Sequence, residues 1–223
     1  MEENNISELT IDSCIKNGRR LLEDAECLHE NERYPSANAL AILAQEEFSK
    51  AFILKLVGEG AIPLSVEVLR ATRDHSCKHL MAVVMEYLFV EWDNLVEHMK
   101  NYFQQPYPPR IPDKIADALD IFCHEKIRKW KSNNWVWAND SGYDKEVRKI
   151  SKGSTDKIKQ NSIYVSITKT GEVANCPSCD SASALKQIEY AKILDDVASG
   201  HYIYKISEKE QIKPAFKNVF ASF

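Results

Sequence analysis

The chain has 223 residues, 44% of them hydrophobic and 28% charged, with a formal net charge of −4 at pH 7. These values argue against a mainly disordered chain and a nucleic-acid coat, and seven glycines and eight prolines exclude collagen-like and low-complexity repeats. No uncharged apolar run reaches the roughly 18 residues of a membrane span, and Met1-Glu2-Glu3-Asn4-Asn5 does not read as a signal peptide, so a cytoplasmic protein without membrane contact is expected.

Leu9, Cys14, Ile15, Leu21, Leu22, Ala25 and Leu28 recur at three-four spacing and predict a helix over 10–31, with Thr10 as its N-cap. Pro35 suits the first turn of a second helix over 35–57. That segment mixes alanines and large apolar residues around much of its circumference, as a central buried helix does, and Gly58 and Gly60 end it. A brief helix follows over 65–72. A long one, striped by Leu80, Val83, Tyr87, Leu88, Trp92 and Leu95, runs over 75–104 until Pro106, Pro108, Pro109 and Pro112 break it. Ile115, Ala118, Leu119, Phe122 and Ile127 predict a fourth amphipathic helix over 112–133. A loop carrying Trp135 and Trp137 leads into a basic helical stretch ending near Lys159. Residues 162–167 are β-prone, and Thr170-Gly171 offers a turn before Glu172-Val173-Ala174. This reads as a two-stranded hairpin that must pack on helices. A last helix spans 183–199, and the tail to Phe223 is mixed. The expected architecture is mostly α, a core over 1–133 with an extension over 134–223 packed on the same bundle.

Three clusters can carry chemistry. Glu46, Glu47 and Lys50 sit at i,i+3 and i,i+4 spacing inside an apolar run, so they form either an ion pair on an exposed face or the lining of a polar cleft. Arg70-Ala-Thr-Arg73-Asp-His75-Ser-Cys-Lys78-His79 gathers five basic or imidazole side chains at the start of the long helix. There backbone N–H groups favour anions and neutral imidazole, so His75 can act as a base while Arg70 or Arg73 steadies phosphate charge. A solvated capping segment is the plainer reading. Residues 126–159 carry ten cationic against four acidic residues, a net +6 that leaves −10 elsewhere. Lys126, Arg128, Lys129, Lys131, Trp135 and Trp137 suit single-stranded RNA, or else a solvated helix with core tryptophans. Cys176-Pro-Ser-Cys179 lacks the second pair a zinc site needs and reads as a turn. No metal and no cofactor is expected.

Arg19-Arg-Leu-Leu-Glu-Asp-Ala25, Ala39-Leu-Ala-Ile-Leu-Ala-Gln-Glu-Glu-Phe-Ser-Lys-Ala51, Asp74-His-Ser-Cys-Lys-His79 and Lys159-Gln-Asn-Ser-Ile-Tyr-Val165 occur in this order. The order resembles the AbiV family of bacterial abortive-infection proteins over roughly residues 10–200. The resemblance implies a HEPN-like antiparallel helical bundle and a phage-defence effector, a toxin that shuts down growth or translation. Many HEPN proteins are homodimeric, metal-independent ribonucleases with an Arg-x(4–6)-His motif. That motif fits Arg70 with His75 and equally Arg73 with His79. The resemblance implies a cleft in which Glu46, Glu47 and Lys50 face His75 and Lys78. It also implies a homodimer, with RNA, the translation machinery or a phage-encoded activator as partner. The alternative is a non-enzymatic module acting by binding alone.

Overall fold

A computed structural model describes residues 6–90, 113–128 and 142–200. The chain is mostly α, with one small sheet. Its elements are α1 (Glu8–Glu30), α2 (Tyr34–Gly58), α3 (Val66–Ala71), α4 (His75–Val90) and α5 (Asp113–Asp120), which runs on into a π-helical segment, Ile121–Arg128. Then come α6 (Lys145–Ser151), α7 (Ser154–Ile163), β1 (Ser166–Ile167), β2 (Val173–Asn175) and α8 (Ser181–Ser199).

The central element is α2. Of its 25 residues, 16 are buried, so it has no solvent face over most of its length. Ala37, Ala39, Ala41, Ala44 and Ala51 let neighbouring helices approach on several sides, while Phe48, Ile42 and Ile53 fill the space between them. Helices α1, α4, α7 and α8 pack around it. The contact with α1 is tight at Gly18: a Cβ there would lie 2.6 Å from the Phe48 ring. Arg19 Nε donates to Asp195 Oδ2 at 2.9 Å and Arg19 Nη2 to Ser199 Oγ at 2.7 Å, tying α1 to α8. One core joins Leu21 and Ala25 of α1 to Ile188 and Leu194 of α8, so the C-terminal helix shares the apolar interior of the N-terminal ones.

The sequence reading needs four local corrections. Ser7, not Thr10, caps α1: its side chain accepts the Thr10 N–H, with Glu8 in the first turn. The helix at 112–133 is not regular, since it turns π-helical from Ile121 and keeps Ile121 and Phe122 in the core. The basic stretch is two helices, broken at Gly153, whose φ of +83° is left-handed. Ser162 and Ile163 are helical rather than extended, because Ser162 is drawn into the core by Asn38 Nδ2, which donates to its Oγ at 2.8 Å.

The hairpin forms where the sequence placed its turn, with Ser166 opposite Asn175 and Ile167 opposite Val173. It differs in its setting. Among the described residues its apolar side chains face outward, with Ile167 66% and Val173 62% exposed. The rest of the long helix beyond Val90, most of the fourth helix beyond Arg128, the Trp135–Trp137 loop and the C-terminal tail lie outside the described residues.

Candidate functional site

The site is built on Glu46, just past the alanine run of α2. Its side chain is only 2% exposed, on a helix buried over most of its length. A carboxylate so placed needs compensation by nearby charge and donors. Two helices supply it. From α4, Lys78 Nζ donates to Oε2 at 2.6 Å and His75 Nδ1–H donates to the same oxygen at 2.7 Å. From α7, Lys159 Nζ donates to Oε1 at 2.6 Å. His79 Nε2, also on α4, lies 3.4 Å from Oε1 and has no formed hydrogen bond. A turn of α4 separates His75 from Lys78 and His79, so all three fall on one face of that helix.

Lys159 reaches further. Its ammonium donates to Asp156 Oδ1 at 2.8 Å and lies 3.2 Å from His75 Nδ1. Asp156 Oδ1 is itself 3.9 Å from His75 Nδ1. Asn38 to Ser162, two further residues that join α2 to α7, brace the same face.

The electrostatics follow from this packing. Burial opposes ionisation of Glu46, but the groups of His79, Lys78 and Lys159 outweigh it and hold the carboxyl well below its usual range. Burial likewise works against a charged Lys159, and the hydrogen bonds to Asp156 and Glu46 overcome it and raise the ammonium above its ordinary value. The network is therefore an ionised one.

His75 is its only half-open member. Its side chain is 48% exposed, against 8% for Lys78 and 9% for Lys159. With Nδ1–H committed to a carboxylate, the neutral ring carries its lone pair on Nε2. That tautomer is the one a general base needs, oriented by an acidic neighbour.

The other sequence-derived residues fall elsewhere. Glu47 and Lys50 pair with each other at 2.7 Å and act electrostatically on Cys14 of α1 rather than joining the Glu46 cluster. His79 is 4% exposed, inside the bundle. Arg70, in the last turn of α3, has an exposed side chain, and Arg73, in the turn before α4, is also exposed, its Nε donating to the Leu69 carbonyl at 3.4 Å. Asp74 accepts the Cys77 N–H at 2.9 Å and so takes up one free donor at the start of α4. Lys126 lies in the π-helical segment, partly buried. The side chain of Arg128 and the whole of Lys129, Lys131, Trp135 and Trp137 are outside the described residues. Lys145, Lys149, Lys152 and Lys157 of the same basic stretch are exposed. Cys176 is exposed and Cys179 partly so, and both thiols are free. Sequence reasoning missed Lys159 and Asp156 as site members. Their i,i+3 spacing was the available signal, inside a run read only as basic surface.

Glu46, His75 and Asp156 present ligand atoms within 4.8 Å of one another, the one such group among the described residues that can hold a metal ion. The Lys159 ammonium stands among them. No helix of the described residues is long and apolar enough to cross a membrane.

The family model of AbiV, a HEPN model, matches residues 8–195. That span runs from the first residue of α1 to within a turn of the end of α8, and it contains every residue of the Glu46 network. The helical fold and this match define a HEPN-type protein of abortive-infection phage defence. Within that class, the chain belongs to the AbiV family. No match was found among curated proteins, and none among solved structures.

Proposed function

We propose that the protein acts in phage defence as a metal-independent endoribonuclease with His75 as general base. The observation that carries this reading is the His75–Glu46 pair: a half-exposed imidazole whose Nδ1–H is held at 2.7 Å by a buried carboxylate. In this reading His75 Nε2 takes the 2′-OH proton, the 2′-oxygen attacks the adjacent phosphorus, and the 5′-oxygen leaves and takes a proton from water. The products are a 2′,3′-cyclic phosphate and a 5′-OH. Arg70 and Arg73, which flank the start of α4, steady the phosphate charge. The exposed lysines of α6 and α7, with Lys126, Arg128, Lys129, Lys131, Trp135 and Trp137, hold the RNA strand, and a homodimer joins two such faces into one groove.

The test is incubation of total bacterial RNA with the purified protein in EDTA. We expect fragments ending in cyclic phosphate, lost by about 100-fold or more in His75→Ala, since a positioned base contributes about that much, and by about as much in Arg70→Ala, since a donor to the developing phosphate charge does too. The His75→Ala melting temperature should stay close to wild type, because the ring is half in solvent. Intact RNA, or equal cleavage by His75→Ala, overturns the reading.

One observation favours a second reading, in which the bundle acts by binding alone. Glu46, Lys78, His79 and Lys159 are all nearly inaccessible, as members of a structural ion network are. In that case His75→Ala keeps its toxicity, and only substitutions that unfold the bundle abolish it.

A further inference from the structure

Lys159 Nζ lies 2.6 Å from Glu46 Oε1, 2.8 Å from Asp156 Oδ1 and 3.2 Å from His75 Nδ1. These three residues are the ones whose ligand atoms converge within 4.8 Å. Two carboxylate oxygens and an imidazole nitrogen are a donor set suited to a hard or borderline divalent cation. The centre of that set is filled by the chain's own ammonium. We propose that Lys159 is a built-in cation occupying a divalent-metal site formed by Glu46, His75 and Asp156, so that this centre is assembled without metal and becomes a metal site when Lys159 is removed.

The charge count supports this. With Lys159 present, two ammonium groups, Lys78 and Lys159, balance the two carboxylates of Glu46 and Asp156. Without it the pocket keeps one ammonium against two carboxylates, and Glu46 Oε1 loses its strong donor. Lys78 still holds Oε2. The imidazole becomes a ligand at no cost in charge, by moving its proton from Nδ1 to Nε2. Lys159 also explains why a carboxylate–histidine–carboxylate cluster can persist in a bundle: a lysine on α7 is delivered by the fold itself and needs no supply of ion. The inference does not depend on RNA cleavage.

The experiment uses the full chain and Mn2+, which prefers carboxylate and imidazole to thiol, so that Cys176 and Cys179 do not report. Calorimetry and thermal melts compare wild type, Lys159→Ala and Lys159→Ala/Asp156→Asn. The expected result is no stoichiometric binding to wild type and one Mn2+ per chain in Lys159→Ala, with a raised melting temperature. Affinity should fall at least tenfold in the double variant. Mn2+ that leaves Lys159→Ala unmoved, or binds wild type equally well, overturns the proposal. If Lys159→Ala is recovered unfolded, refolding with Mn2+ must restore the helical signal, and failure to do so also overturns it.

Discussion

Glu46 keeps a negative charge in a bundle interior because donors from α4 and α7 meet both of its oxygens. Removing one of the buried charges, Glu46, Lys78 or Lys159, leaves the others uncompensated, which costs about 3–5 kcal/mol. Glu46→Gln keeps the shape but removes the charge, and should lower the urea midpoint clearly at pH 7. The pH dependence has a fixed sign. The carboxyl is held below its usual value in the folded state, so its contribution is fully present above about pH 4.3, the unfolded value, and is lost as pH falls from there toward the folded value. The gap in stability between wild type and Glu46→Gln should therefore narrow below about pH 4. A gap that widens below that pH contradicts the ionised network.

Among the elements, α2 sets the geometry of the site, and it does so through small residues. Gly18 of α1 sits against the Phe48 ring with no room for a Cβ. Gly18→Ala forces the ring or the helix aside, an overpacking that costs about 1–3 kcal/mol and should lower the melting temperature by several degrees. The same helices show what the sequence could and could not tell. Glu46 and the His75–Lys78 pair were readable, because charges inside an apolar 3.6-period run must find partners and α4 starts with two histidines and a lysine. The side of α2 on which each carboxylate falls was not readable. Glu46 and Glu47 are adjacent, about 100° apart around the helix, and α2 is buried on nearly every side. Only packing decides that one meets α4 and α7 while the other pairs with Lys50 near α1. Lys159 was hidden for another reason: it lies 113 residues from Glu46, on a helix whose other lysine, Lys157, is exposed.

For the molecule as a whole, the apolar core runs from α1 to α8 and leaves the hairpin outside it. Tyr164, Val165, Ile167 and Val173 are all exposed. The sequence reading gave the hairpin its place and turn but expected cover that the described helices do not provide, because alternation in so short a run does not say which face, if either, finds a partner. Replacing residues 166–175 by a short Gly-Ser linker should thus shift the melting temperature by only a few degrees. A loss of cooperative unfolding would mean that the bundle needs the hairpin after all.

The ammonium of Lys159 also bears on how long a folded molecule survives. Its bonds to Glu46 close a span of 113 residues, and they gain strength only once water has left the pocket. Such contacts are made on the native side of the folding barrier. Their removal raises the escape rate and leaves the return rate nearly unchanged. In stopped-flow denaturant jumps, Lys159→Met should unfold faster than wild type and refold at close to the same rate. The network is then a brake on opening, and slowed refolding with an unchanged unfolding rate would place it in the nucleus instead.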